Sequence, residues 1–323
     1  MIEFELTGPR GDNPLGFLAA LGAVVALEDA GWRARLAWSG SRPRLLVDGE
    51  PAGALEGLSE AERRERLLEL LVSQLSRPSA GGRPADPSVE LGEDLNKPNA
   101  EFLAHIDRAA HQASARDRRW ADLVAAYGVA DAAEPEERMS ATPWALVSGS
   151  GHQHFLGSVA QLMTRCGAHH FERALFGPWL AEDKKFSLRL DLAEDRRYAL
   201  MDRDPSADTP LTIWGANRLA FEALRLFPAM PVRGGIAVRA WRGGESSRGE
   251  NWRVRWPLWT PPAGAPVIGS LLSLPELWRD EPESRSRLRT LGVHVVYESR
   301  RIKVGEGSNV KYNLTPPLAV WRS

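Results

Sequence analysis

Five side chains able to ligate a metal, His152, His154, Cys166, His169 and His170, fall within 19 residues of one another. Imidazole nitrogen and thiolate sulfur are the usual zinc donors, so this group is the sharpest metal or nuclease candidate in the chain. Its spacing argues the other way. A His-x-His pair followed by Cys-x-x-His-His matches no common zinc box, and Phe155 to Met163 between them reads as a packed helix. Near the start of that helix, neutral imidazoles of His152 and His154 could instead bond a ligand phosphate or cap free N–H groups. Structural histidines are the first expectation, ligand or RNA contact the second, and metal the third.

A second candidate is the acidic run Asp191, Glu194, Asp195, Asp202, Asp204 and Asp208, which could hold Mg²⁺ for a nuclease. Such a site needs carboxylates converging from separate elements. Here Arg196, Arg197 and Arg203 interleave with the acids and can pair them off, so a turn-rich, solvated segment is expected. The loop at residues 8–14, ahead of a helix, could offer N–H groups to an anion. It lacks the Gly-Lys-Ser/Thr of a P-loop, and a strand-to-helix turn explains it without a ligand. No Gly-x-Ser-x-Gly elbow stands between a strand and a helix.

Twelve tryptophans are unusual, and many accompany arginine. Trp214 lies near Arg218, Trp241 beside Arg242, and Trp252, Trp256 and Trp259 among Arg253 and Arg255. Aromatic faces beside guanidinium groups suit single-stranded nucleic acid, where bases stack and phosphates pair. For Trp252 to Trp256, strand alternation predicts Trp inward and Arg outward. Arg300, Arg301 and Lys303, with Lys311 after a turn, read as an exposed basic hairpin.

The elements that must position these residues follow from periodicity and breakers. Ile2, Phe4 and Leu6 alternate as a strand. Asp12 or Asn13 caps a helix with Pro14 in its first turn and Gly31 at its end, and its small residues predict close packing against a sheet. Residues 33–50 read as a strand pair, and Ser59 with Glu62 as a capping box opening a helix to about Leu75. Residues 77–98 read as a long surface loop, Ala100 to Tyr127 as helical, and 130–140 as an acidic linker. Helices are expected from Gly151 to Arg165 and from His169 to Phe176. Phe186 to Leu192 alternates as a strand, Leu211 to Trp214 as another, and Arg218 to Phe227 as a compact helix stopped by Pro228. Strands are expected at 235–241, 251–256 and 293–304. The class is α+β: a helix-rich N-terminal lobe, 1–140, packed on a β-rich lobe, 141–323, whose sheet is mixed or antiparallel and ends in a basic hairpin.

The net charge of −1 conceals an asymmetry. Residues 184–323 hold 23 Lys+Arg against 15 Asp+Glu, and residues 1–183 hold 18 against 27. A basic half attracts phosphate backbones, and an acidic half can dock a basic protein. The single Cys166 fits a reducing cytoplasm. Neither a signal peptide nor an apolar run of membrane-spanning length is visible.

Four segments occurring in order add a family resemblance. They are Asn13-Pro-Leu-Gly-Phe-Leu-Ala-Ala-Leu-Gly22, Ser148-Gly-Ser-Gly-His-Gln-His-Phe155, Asp195-Arg-Arg-Tyr-Ala-Leu200 with Asp204-Pro205, and Trp214-Gly-Ala-Asn-Arg-Leu-Ala-Phe221. The set resembles the large-subunit-like family of CRISPR-associated proteins from type I-U (I-G) effector complexes, over residues 2 to about 260. The resemblance implies a non-catalytic subunit of a surveillance complex that binds CRISPR RNA and target DNA. Partners would be other effector subunits and a separate helicase-nuclease that cuts. It implies no cofactor and transfers no catalytic residue. Its polar motif residues His152, Gln153, His154, Asn217 and Arg218 become the RNA-facing candidates, followed by Arg196 and Arg197. Asn217 and Arg218 would fall in a helix's first turn, where Arg218 opposes the helix dipole and calls for a carboxylate or phosphate beside it. The alternatives are a metal-dependent nuclease on either cluster and a protein–protein adaptor without nucleic-acid contact.

Overall fold

The structure is a computed structural model. It describes residues 1–323 except 50–52, 78–83, 85, 115–116, 148–153, 193–210, 234, 244–250 and 305–310, and the side chains of Val304 and Lys311. The fold is α+β, and every strand pairing among the described residues is antiparallel.

Strand β1 (Ile2–Glu5) leads into helix α1 (Pro14–Asp29), and β2 (Arg33–Ser39) and β3 (Arg42–Asp48) follow as a hairpin in a sheet of order β1-β3-β2. Asn13 caps α1 by accepting hydrogen bonds from the N–H groups of Leu15 and Gly16. Every residue from Pro14 to Leu27 is buried, so α1 has no solvent face over that length. Its closest neighbour is another helix, not the sheet. A Cβ on Gly22 would stand 1.8 Å from the Leu219 carbonyl oxygen.

Helices α2 (Glu60–Leu75), α3 (Asn99–Gln112) and α4 (Arg119–Tyr127) complete the N-terminal half. The Ser59–Glu62 capping box opens α2 as its sequence predicts. The stretch expected as a surface loop at 77–98 is not all at the surface. Asp86, Ser88, Val89, Leu91 and Leu95 are buried there, around a 3-10 turn at Pro87–Val89. Then come the short pair β4 (Gly128–Val129) and β5 (Ser140–Ala141), α5 (Phe155–Arg165), α6 (Ala168–Leu175), the pair β6 (Asp183–Lys184) and β7 (Leu211–Thr212), and α7 (Trp214–Ala223). The strand expected over Phe186 to Leu192 does not form. Lys185, Phe186 and Arg189 have positive φ, and Ser187 to Leu190 are all buried, so the segment kinks into the interior.

The C-terminal part adds a hairpin, β8 (Ala229–Val232) with β9 (Gly235–Val238), and a larger sheet. In that sheet β10 (Trp241–Arg242), β11 (Arg253–Trp259) and β12 (Val293–Val304) are successive neighbours, and β13 (Lys311–Leu314) and β14 (Leu318–Arg322) both pair with β12. Between β11 and β12 lie α8 (Ala265–Leu272), a 3-10 turn at Pro275–Trp278 and α9 (Pro282–Thr290). The core does not divide near residue 140. One cluster runs from Ile2 to Trp321. Trp256 Nε1 donates to the Gly11 carbonyl at 2.8 Å, and Trp259 Nε1 to that of Leu36 at 2.8 Å. Among the described residues no helix is long and apolar enough to cross a membrane.

Candidate nucleic-acid interface

Asn217 and Arg218 lie inside the protein. Helix α7 begins at Trp214, so they are its fourth and fifth residues rather than members of an open first turn. Asn217 Oδ1 accepts from Leu188 N–H at 2.9 Å, and its Nδ2 donates to Thr212 Oγ1 at 2.8 Å and to the Ile213 carbonyl at 3.0 Å. These bonds tie the kinked 185–190 segment to the start of α7. Arg218 has no exposed surface; its Nε donates to the Leu75 carbonyl and its Nη1 to Glu222 Oε1 at 2.7 Å. The expectation that this pair touches nucleic acid is therefore corrected for this fold. The compensating partner Arg218 calls for is a carboxylate one helical turn away.

That carboxylate belongs to a buried ionic chain. Arg119 clamps Glu222 with Nε and Nη2 at 3.0 and 2.7 Å, and its Nη1 reaches Asp86 at 3.0 Å. Arg225 lies 3.7 Å from Glu222 and pairs with Asp29 on α1. Burial alone would raise the Glu222 carboxyl, but Arg119 and Arg218 outweigh it and hold the group well below its ordinary range. All of this joins α1, α4 and α7. It is scaffold.

The histidine group separates likewise. His152 and Gln153 lie outside the described residues. His154 sits at the N-cap of α5, its Nδ1 2.5 Å from Asp94 Oδ2 and its Nε2 3.5 Å from Glu93. Cys166 caps the other end, about 18 Å away at 1.5 Å per residue. Burial pushes its thiol up to about 12, which disfavours the thiolate a metal would need. His170 Nδ1 accepts from Gly167 N–H at 3.1 Å, and its ring stacks on Trp214. No group of three His, Cys, Asp or Glu among the described residues is placed to hold an ion. Arg196, Arg197 and the acids Glu194, Asp195, Asp202, Asp204 and Asp208 fall outside the described residues, while Asp191 accepts from Asn13 Nδ2 at 2.9 Å.

The tryptophan–arginine strand behaves as alternation predicts. Trp252 and Trp256 are buried and Arg253 and Arg255 take the opposite face, while Trp259, past an irregularity at Leu258, is buried as well. The basic hairpin, however, splits across two faces. Arg300 is largely exposed, at 64% of its side chain, and Lys303 is exposed. Arg301 turns inward, correcting its place among the exposed cations. Its guanidinium lies 3.6 Å from the Tyr312 ring centre, Nη2 donates to the Ala145 carbonyl, and burial pulls its pKa down to about 10. The side chain of Lys311 is not described, although its backbone pairs with Val304.

Register then produces something that no single segment announces. Arg242 pairs across to Arg253, and Arg253 across to Arg300, so three arginines stand opposite one another on three neighbouring strands. At about 4.8 Å per strand the row is roughly 10 Å long. Like charges directly opposite destabilise a sheet. One carboxylate answers them: Glu298 lies 2.7 Å from Arg255, 3.6 Å from Arg300 and 3.8 Å from Arg253. Trp278, carried over from the turn before α9, stands beside the row, with Arg242, Arg255 and Arg253 at 4.9, 5.0 and 5.8 Å from its ring centre. Arg242 has no carboxylate partner among the described residues. Its pKa is lowered by burial first, and then by repulsion from Arg255, Arg279 and Arg253. The nearby acids are engaged elsewhere, Glu276 with Arg287 at 3.0 Å and Asp280 with Arg285 at 3.6 Å. Among the described residues this face carries more positive than negative charge, which suits a polyanion. Sequence reading attached these arginines to their neighbouring tryptophans and missed both the row and Trp278.

No protein-family model matches the chain, and no curated protein matches it significantly.

Proposed function

We propose that this chain is a non-catalytic subunit of a CRISPR type I effector complex. It binds CRISPR RNA or target DNA and scaffolds other effector subunits in antiviral defence, while a partner helicase-nuclease does the cutting. The ordered set of four sequence segments supports the family part of this reading. The observation that carries the nucleic-acid part is the row Arg242–Arg253–Arg300, with Glu298 as the carboxylate it shares. No catalytic residue and no cofactor belong to it.

The contact is a phosphate contact, so it must be steep in salt. Each phosphate neutralised releases its condensed counterions and steepens the fall of log affinity with log salt by about 0.7 to 0.9. Arg253→Ala combined with Arg300→Ala is expected to weaken binding of any RNA or DNA sequence about equally and to flatten that slope by roughly 1.5. A titration of the full chain, alone and with its partner subunits, over a range of salt concentrations measures both. Binding that ignores salt, or no binding with the partners present, sinks the proposal.

A further inference from the structure

The arginine row accounts for phosphates, but not for Trp278. Two of the three guanidinium groups around that ring have a carboxylate beside them. Arg255 donates Nε to Glu298 at 2.7 Å and Nη1 to the Leu277 carbonyl at 2.8 Å, and Arg253 lies within 3.8 Å of the same carboxylate. Arg242 differs. It is exposed, has no carboxylate among the described residues, and has its guanidinium 4.9 Å from the indole centre. A guanidinium laid on an aromatic ring keeps its N–H edge for phosphate, and its outer face is a platform on which an unpaired base stacks.

We infer that Arg242 and Trp278 form a stacking subsite for an unpaired base, so the ligand of this face is single-stranded nucleic acid. This rests on the nucleic-acid reading above and narrows it. A duplex would satisfy the row through its phosphates but offers no free base face to the Arg242–Trp278 stack. A single strand supplies both, with phosphates along Arg242, Arg253 and Arg300 and one splayed base beyond Arg242. Trp278 acts as a positioning residue beside the Arg242 guanidinium.

Three probes of equal length separate these terms: a base-bearing single strand, an abasic strand with the same phosphates, and a duplex. With the full chain at fixed salt, the base-bearing strand is expected to bind about tenfold more tightly than either of the others. Trp278→Leu is expected to bring it down to the abasic level and to leave abasic and duplex binding unchanged. Arg242→Lys keeps the charge and loses the flat face, so it is expected to do the same, and it serves should the indole variant fold poorly. If all three probes bind alike and still depend on Arg253 and Arg300, the stacking subsite is refuted and the phosphate reading stands. If none of them binds, with the partner subunits present as well as absent, the functional reading itself falls and takes the subsite with it.

Discussion

Glu222 carries no exposed surface and answers three guanidinium groups, those of Arg119, Arg218 and Arg225. A buried pair adds little net stability, because desolvation offsets the attraction, but removing one partner leaves the other charges stranded. Glu222→Gln is therefore expected to destabilise the fold by about 3 to 5 kcal/mol, read as a fall in the urea midpoint. Glu3→Gln, which breaks the exposed pair with Arg44, is expected to move the midpoint little. A Glu222→Gln protein as stable as the parent would mean that the ionic chain does not hold α1, α4 and α7 together. Arg218 shows why its type alone misled. A cation in the most recognisable motif looks like a ligand contact, yet whether it meets water or Glu222 depends on what packs over α7.

The contact between α1 and α7 has no room for a methyl group at Gly22. Overpacked cores lose about 1 to 3 kcal/mol, and more when the obstructing atom is backbone that cannot rotate away. Gly22→Ala is expected to lower stability by about 3 kcal/mol, measured by thermal or urea unfolding. Stability equal to the parent would show that the two helices can slide apart freely. Both faces of this contact come from the Asn13 to Gly22 and Trp214 to Phe221 segments. The two most distinctive stretches of the sequence thus meet at one helix crossing. What they specify here is close packing, and the exposed charged face lies elsewhere, on the strand register of β10, β11 and β12.

At the scale of the molecule, the acidic and basic halves share one core. Leu36 in β2 exchanges backbone hydrogen bonds with Ala263 at 2.9 Å, and Phe17 of α1 packs on both Trp38 and Trp256. Unfolding is expected to be one transition, with tryptophan fluorescence and far-ultraviolet circular dichroism tracing the same urea curve. Two separated transitions would show that the halves fold apart. What depends on near neighbours could be read in the chain directly. Asn13 and Ser59 cap their helices, Trp252 and Trp256 face inward while Arg253 and Arg255 take the opposite face of the strand, and β12 runs over 293–304. These are matters of local hydrogen bonding and of periods of 2 and 3.6 residues. That Asn217 and Arg218 are walled off, that 186–192 kinks rather than pairs, and that Arg242, Arg253 and Arg300 stand in line came out only once the chain was folded. Arg218 meets the Leu75 carbonyl 143 residues away and Arg300 meets Arg253 47 residues away, separations that no local periodicity spans.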